Sequence, residues 1–450
     1  METAENKQLE RKLGPFSATA IVVANMIGAG IFTTSGIMAA QLPGPGWVLL
    51  CWLFGGLIAI SGALCYAELS TRMPLAGGEY IYLKKLYHPA LGFLTGWMSL
   101  IVGFSAPIAA SAMSFSEYVF AGLDSRLLGL APSQLALANK ATAISIIIIF
   151  TGLHYLGLRL GSRVQNILTV LKIVIVLGLA TVGLALGGGE FSKISLEISE
   201  PFKGVAFGTA MMLVMFSYSG WNASAYIAEE LKRPRKTLPI SLVAGTGIVI
   251  FIYLAINLFI FSTVPYSELK GVIPVVKSAA VGAFGDWMGK SLSFLIGIAL
   301  LSSLSAYIII GPRVYFAMAK DRLFLSFASR VHLRYRVPGR SILVQGLIAV
   351  AMVTIGSFEQ LLIYLGFALG IFPWLAVAGL FIARKQKIGE ESAVKVWGFP
   401  VIPLFFLFCS LILMVFNYVN RPLESSAAVL TVLLGVPFYI LWIKGQKKKI

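Results

Sequence analysis

Charge is scarce in this chain. Asp, Glu, Lys and Arg make up 12% of its 450 residues, where soluble domains carry about a quarter. That shortage excludes a string of soluble domains. Acidic residues are the scarcer kind, 19 against 36 Lys and Arg. None falls in the central part of an apolar span; Glu68, Glu117, Glu229 and Glu230 lie near span ends. Histidine and cysteine number three each. His88 and His332 fall in polar gaps and His154 ends a span, none near a Cys, Asp or second His at ligand spacing. No metal and no cofactor is expected. Cys51, Cys65 and Cys409 all fall inside apolar runs and read as small core residues. With no cysteine in the expected outer segments, a disulfide-linked partner subunit is not expected. The spans offer Ser, Cys and one Lys at mid-depth, without a His, Asp or Glu to activate them. An intramembrane enzyme is therefore not expected. Met1–Gly14 is polar and Pro15 opens a long span, so no cleavable leader is read either.

Long apolar runs are what the chain does have. Hydrophobic residues are 58% of the total, and the mean hydropathy is +0.86. Blocks such as Ala141–Leu153 and Leu242–Phe261 approach the ~20 residues that cross a bilayer. The chain reads as an all-α membrane protein. Twelve spans are expected, at 15–40, 46–68, 89–121, 139–157, 162–187, 203–230, 238–263, 275–318, 341–356, 359–383, 400–419 and 425–443. The third and eighth are the longest.

The net charge of +17 is a topology signal rather than a nucleic-acid footprint, because the basic residues sit in short gaps between spans. With the N-terminus inside, 27 of the 36 Lys and Arg fall on the cytoplasmic side and eight outside. That bias puts both termini in the cytoplasm of a multi-pass protein of the cell membrane. Residues 1–14 become a cytoplasmic N-terminus and 444–450 a basic, solvated tail.

Two spans carry helix breakers at matching depth. The first contains Ala24-Asn25-Met26-Ile27-Gly28-Ala29-Gly30-Ile31-Phe32, and the sixth contains Phe216-Ser217-Tyr218-Ser219-Gly220-Trp221-Asn222. Glycine weakens a helix interior by ~1 kcal/mol against alanine and lets a ligand approach bare backbone. Unpaired N–H or C=O groups at mid-membrane cost several kcal/mol each, so a real break has to line a cavity or bind something. Close helix packing is the alternative reading for Gly28 and Gly30. Paired breaks in corresponding halves favour a transporter's binding site.

These motifs resemble those of amino acid permeases of the amino acid–polyamine–organocation superfamily, most of all its L-type amino acid transporter branch. The resemblance spans about residues 13–385. It rests on Gly28-Ala29-Gly30-Ile31-Phe32, Pro74-Leu75-Ala76-Gly77-Gly78-Glu79-Tyr80 with Gly96-Trp97, and the sixth-span motif. Glu229-Glu230-Leu231-Lys232-Arg233-Pro234 and Gly311-Pro312-Arg313-Val314-Tyr315-Phe316-Ala317-Met318-Ala319-Lys320-Asp321 complete it. It implies a five-plus-five inverted repeat, 15–187 and 203–383, with broken helices 1 and 6 and two trailing helices at 400–443. Sequence self-similarity between the halves is not visible beyond the paired breaks.

A half-helix starting at mid-membrane suits a carboxylate, and one ending there suits an ammonium. The amides of Ala29, Gly30 and Ile31 are the expected carboxylate donors; the resemblance assigns the carbonyls of Met26, Phe216 and Ser219 to the ammonium. Together they describe an α-amino acid as the small-molecule substrate. Ala29 stands where many relatives have serine, and Ser219 where relatives that take bulky side chains have glycine, which implies a smaller pocket. Trp221, Asn222 and Tyr218 complete the expected site, with Trp221 and Tyr218 as candidate gates. Lys172 lies ten residues into the fifth span, or ~15 Å deep, where a charge costs ~2.5–3.5 kcal/mol. Its expected acceptors are the Gly28 carbonyl, Ser303 and Tyr307. The resemblance implies that Lys172 replaces a sodium ion held there by some relatives, so sodium coupling is not expected.

The expected function is secondary transport of small neutral L-amino acids by alternating access, as sodium-independent exchange or proton-coupled uptake. The neutral choice rests on the lack of a mid-span carboxylate to pair a cationic side chain. A permease for cationic amino acids or polyamines stays open within the same fold. A channel is the alternative from another class, although a ring of polar pore residues from several helices is not evident.

Overall fold

The computed structural model describes residues 11–123, 129, 131–186, 194, 204–272, 274–332, 334–355 and 358–447. Its helices in chain order are α1 (Pro15–Met26), α2 (Ala29–Ala39), α3 (Pro45–Arg72), α4 (Glu79–Leu86), α5 (Pro89–Met98), α6 (Ala106–Gly122), α7 (Pro132–Tyr155) and α8 (Leu158–Leu186). There follow α9 (Gly204–Tyr218), α10 (Pro234–Thr263), α11 (Val275–Phe284), α12 (Asp286–Lys320), α13 (Gly339–Ile355), α14 (Phe358–Lys385), α15 (Val401–Asn420) and α16 (Pro422–Lys447). Proline opens α1, α3, α5, α7 and α10, where its fixed φ suits the first turn and its missing N–H is no loss.

Nine helical segments are long and apolar enough to cross a membrane among the described residues, with α1–α2 and α5–α6 each counted as one. Of the other expected spans, α9 stops at the second break and α13 has 17 residues. The eighth expected span is not one helix. Gly285, at φ 84°, separates α11 from α12, a conformation that side chains with a Cβ rarely adopt. The third span is continuous, its α5 and α6 joined by the π-helical stretch Ser99–Ser105. Lys7, Arg126, Lys193, Lys203, Lys448 and Lys449 of the charge argument lie outside the described residues.

The broken first span is the buried centre, packed by α10, α8 and α12. The peripheral α15 and α16 expose Leu404, Phe408, Leu433 and Phe438, apolar side chains suited to lipid. Three ion-pair clusters tie basic helix ends together. Arg313 of α12 holds Glu230 at 2.7 Å, both buried. Glu68 of α3 takes Arg384 of α14 at 2.5 Å and Arg72 at 3.0 Å. Lys84 of α4 reaches Asp321 at 2.6 Å.

Candidate functional site

The first span comes undone at Ile27 and Gly28, between α1 and α2. Such a gap leaves the last carbonyls of α1 and the first amides of α2 without helical partners. The carbonyls are all taken. Val23 accepts from the Ile27 amide at 2.9 Å, and Ala24 from Lys172 at 3.2 Å. Asn25 accepts from the Tyr307 hydroxyl at 2.9 Å, and Met26 from the Tyr253 hydroxyl at 2.7 Å. Ile27 accepts from both Lys172, at 2.5 Å, and Ser303, at 2.6 Å. The amides differ. Those of Ala29, Gly30 and Ile31 meet no protein acceptor among the described residues, and Gly28 supplies no side-chain cap.

The second break follows α9. Ser219 to Asn222 form turns before the 3-10 helix Ala223–Glu230. Gly220 has φ 96°, and a Cβ there would lie 2.3 Å from the Asn25 side-chain nitrogen. Only glycine meets both demands. The Phe216 carbonyl accepts from the Ser219 amide at 3.0 Å, whereas the Ser219 carbonyl takes no donor among the described residues. The Asn25 side-chain oxygen is likewise buried without a donor.

A cavity of about 130 Å³ lies between these segments, well below the ~300–1,000 Å³ of pockets for drug-sized ligands. It suits a solute of few atoms. Phe216, Ser219, Trp221, Asn222 and Tyr307 line it, together with Asn25, Phe104 and Met98. Met26, Gly28, Ala29, Gly30 and Ile31 do not line it; of these five only Gly28 is partly exposed. At Gly30 an added Cβ would fall 2.2 Å from the Ser217 hydroxyl oxygen, so this glycine serves close helix approach. Tyr218 faces α3, donating to the Trp52 carbonyl at 2.9 Å.

Lys172 is fully buried, and its Nζ donates to the carbonyls of Ala24 and Ile27 and to the Ser303 hydroxyl at 2.8 Å. Three acceptors match the three N–H bonds of an ammonium. Two of the three expected acceptors were misplaced. The carbonyls used belong to Ala24 and Ile27 rather than Gly28, because α1 ends at Met26 and leaves these two without helical donors. Tyr307, one helical turn beyond Ser303 on α12, reaches back to Asn25 instead.

The largest correction concerns Glu79. The site is not free of carboxylate: Glu79 lines the cavity although it belongs to no span. Gly77 and Gly78, at φ 115° and 53°, turn the chain back into the bundle and deliver α4 with Glu79 as its first residue. A Cβ on Gly78 would meet the Tyr226 ring at 2.6 Å. Glu79 accepts from the Tyr66 hydroxyl at 2.7 Å, the Asn222 amide and the Tyr226 hydroxyl. Burial pushes its carboxyl above the usual range, while the three donors pull the other way. The Gly-Gly pair was visible in the sequence, but a polar gap gives no hint that it re-enters the bundle.

Two interrupted helices enclose a small cavity in an apolar bundle, with unpaired amides at one break and unpaired acceptors at the other. The sequence profile of the amino acid permease family matches residues 13–441. The chain belongs to this family. It is 30% identical to the human b(0,+)-type amino acid transporter 1 over 97% of this chain and 88% of the relative. It is 29% identical to the serine/threonine exchanger SteT of Bacillus subtilis (strain 168) over 99% of each. The Asc-type amino acid transporter 1 of mouse is 26% identical over 99% of this chain and 83% of the relative. The permease is thus a multi-pass membrane protein of amino acid transport, similar to L-type transporters, and not an enzyme.

Proposed function

We propose that the permease exchanges small neutral L-amino acids across the cell membrane by alternating access, without sodium. The observation that carries this reading is the unequal satisfaction of the first break: its carbonyls are occupied and its Ala29–Ile31 amides are not. A buried helix start of this kind attracts an anion. The substrate carboxylate would enter at Gly28, and its ammonium would meet the Ser219 carbonyl and the Asn25 oxygen. A small cavity, narrowed by Ser219, favours small side chains. The Lys172 ammonium occupies the place that the resemblance gives to sodium in some relatives, which supports sodium independence.

Twelve spans fit this reading, with 204–230, 339–355 and 358–385 added to the nine. They divide into the repeats 15–187 and 203–383 and the trailing pair at 400–443, with both termini in the cytoplasm. Exchange is favoured over a channel because the cavity is small, about 130 Å³, and lies between the two interrupted helices. Proton-coupled uptake is the second reading, favoured by the buried Lys172 at the break. Proteoliposomes loaded with unlabelled alanine test the proposal. Uptake of labelled alanine should saturate and fall at least tenfold when the internal alanine is left out. Uptake indifferent to internal amino acid would refute exchange, and a sodium requirement would refute the role given to Lys172.

A further inference from the structure

Glu79 gives the cavity a second polar end. Glu79 is 3% exposed, and its carboxylate is held by neutral groups alone: the Tyr66 and Tyr226 hydroxyls and the Asn222 amide. No Lys or Arg pairs with it among the described residues. Oε1 takes two of these donors and Oε2 takes one. A carboxylate has about four acceptor positions, so the protein fills three and leaves one. Glu79 and Asn222 both line the cavity. Met98, Val102, Phe104 and Trp221 add apolar wall to the same cavity, and Thr95 and Ser99 add hydroxyls.

We infer that Glu79, positioned by Asn222 and Tyr226, is the acceptor that reads the side chain of the transported amino acid and selects side chains bearing a hydroxyl group. The inference rests on the proposed transport of small neutral amino acids. One open acceptor position matches the single O–H of serine or threonine. A side-chain ammonium brings three N–H bonds, of which the open position on Glu79 can accept one. Alanine and valine leave the carboxylate short of its fourth partner. Sites built to hydrogen-bond a substrate hydroxyl discriminate strongly against analogues without it.

The test uses the full-length protein in proteoliposomes preloaded with alanine and compares kcat/KM for labelled serine, threonine, alanine, valine and lysine. The wild-type protein is expected to prefer serine to alanine, and threonine to valine, by at least tenfold. Glu79→Gln, which keeps one acceptor oxygen in place of two, should lower the serine-to-alanine ratio at least threefold. Equal use of serine and alanine by the wild-type protein overturns the inference without any variant, and so covers a Glu79→Gln protein that fails to fold. Faster exchange of lysine than of serine also overturns it. An unchanged ratio in Glu79→Gln with loss of proton-driven uptake would make Glu79 a proton carrier and overturn it too. A wild-type protein that exchanges none of the five refutes the transport proposal itself, whereas alanine exchange without hydroxyl preference refutes this inference alone.

Discussion

The Lys172 ammonium nitrogen sits 2.5 Å from the carbonyl oxygen of Ile27, joining α8 to the residue where the first span comes undone. Its other two partners, Ala24 and Ser303, belong to α1 and α12. One side chain thus holds three helices around the break.

Replacing Lys172 by alanine should slow exchange at least tenfold. The Ala24 carbonyl loses its donor, at roughly 1–3 kcal/mol for a buried group left unpaired, and α8 is released from the break. Substrate binding should weaken less, because the Ala29–Ile31 amides are untouched. Exchange rates and equilibrium binding, measured on the same preparation, separate the two effects. Wild-type exchange by Lys172→Ala would exclude the tether. Proton-driven uptake by the wild-type protein that is lost in Lys172→Ala would make Lys172 a proton carrier as well.

Gly28 and Gly30 should part company on mutation. A Cβ at Gly28 meets nothing closer than the Ser303 hydroxyl oxygen at 3.9 Å, whereas at Gly30 it would collide with Ser217. Gly30→Val is expected to lower the melting temperature and the yield of folded protein, since overpacking a tight contact costs about 1–3 kcal/mol or more. Gly28→Ala should fold normally and lose substrate affinity, by about tenfold, because the methyl group stands where the carboxylate enters. Unaltered affinity in a folded Gly28→Ala protein would remove the carboxylate site from α2.

Much of this arrangement was legible in the sequence because membrane helices advertise themselves by length and glycine. The starts of α1, α3 and α5, and the breaks at Gly28 and Gly220, follow from local chemistry alone, whereas α7 starts at Pro132 rather than 139 and α12 at Asp286 rather than 275. The contacts of Lys172 were not legible to the residue, since they depend on where α1 ends, at Met26, and on which carbonyls that leaves without helical donors. Glu79 escaped for a deeper reason. Periodicity and hydropathy report on spans, while Glu79 reaches the cavity on a turn whose direction is set by two positive φ angles and the Tyr226 ring. Asn25 and Tyr253 were also missed; a polar residue in an apolar run announces burial but not its partner.

Ser219 offers a measure of pocket size. It lines the cavity beside Phe216 and Trp221, so Ser219→Gly should open room for a larger side chain. Inhibition of labelled alanine exchange by leucine or phenylalanine is expected to strengthen at least fivefold, within the range that one or two extra methylene contacts supply. An identical inhibition profile would make Ser219 a packing residue.

Glu79 should also leave a signature in stability against pH. Its carboxyl is raised by burial over the 4.5 of a free glutamate, so ionisation is harder in the folded protein than in the unfolded chain. The contribution of Glu79 to stability is therefore full below the unfolded value and is lost as pH rises through the raised folded value. The groups facing it are the Tyr66, Tyr82 and Tyr226 phenols and the Asn222 amide, none of which supplies a positive charge to reverse the sign. Glu79→Gln cannot ionise, so it should gain on the wild-type protein as pH rises, by on the order of 1 kcal/mol for each pH unit between free and folded values. Melting temperatures of both proteins in detergent, taken from about pH 4 to about pH 8 where shifted carboxyls titrate, read this difference directly. Parallel curves would mean that Glu79 keeps one charge state throughout, and a variant that loses ground with rising pH would mean that the three donors outweigh burial and hold the carboxylate ionised.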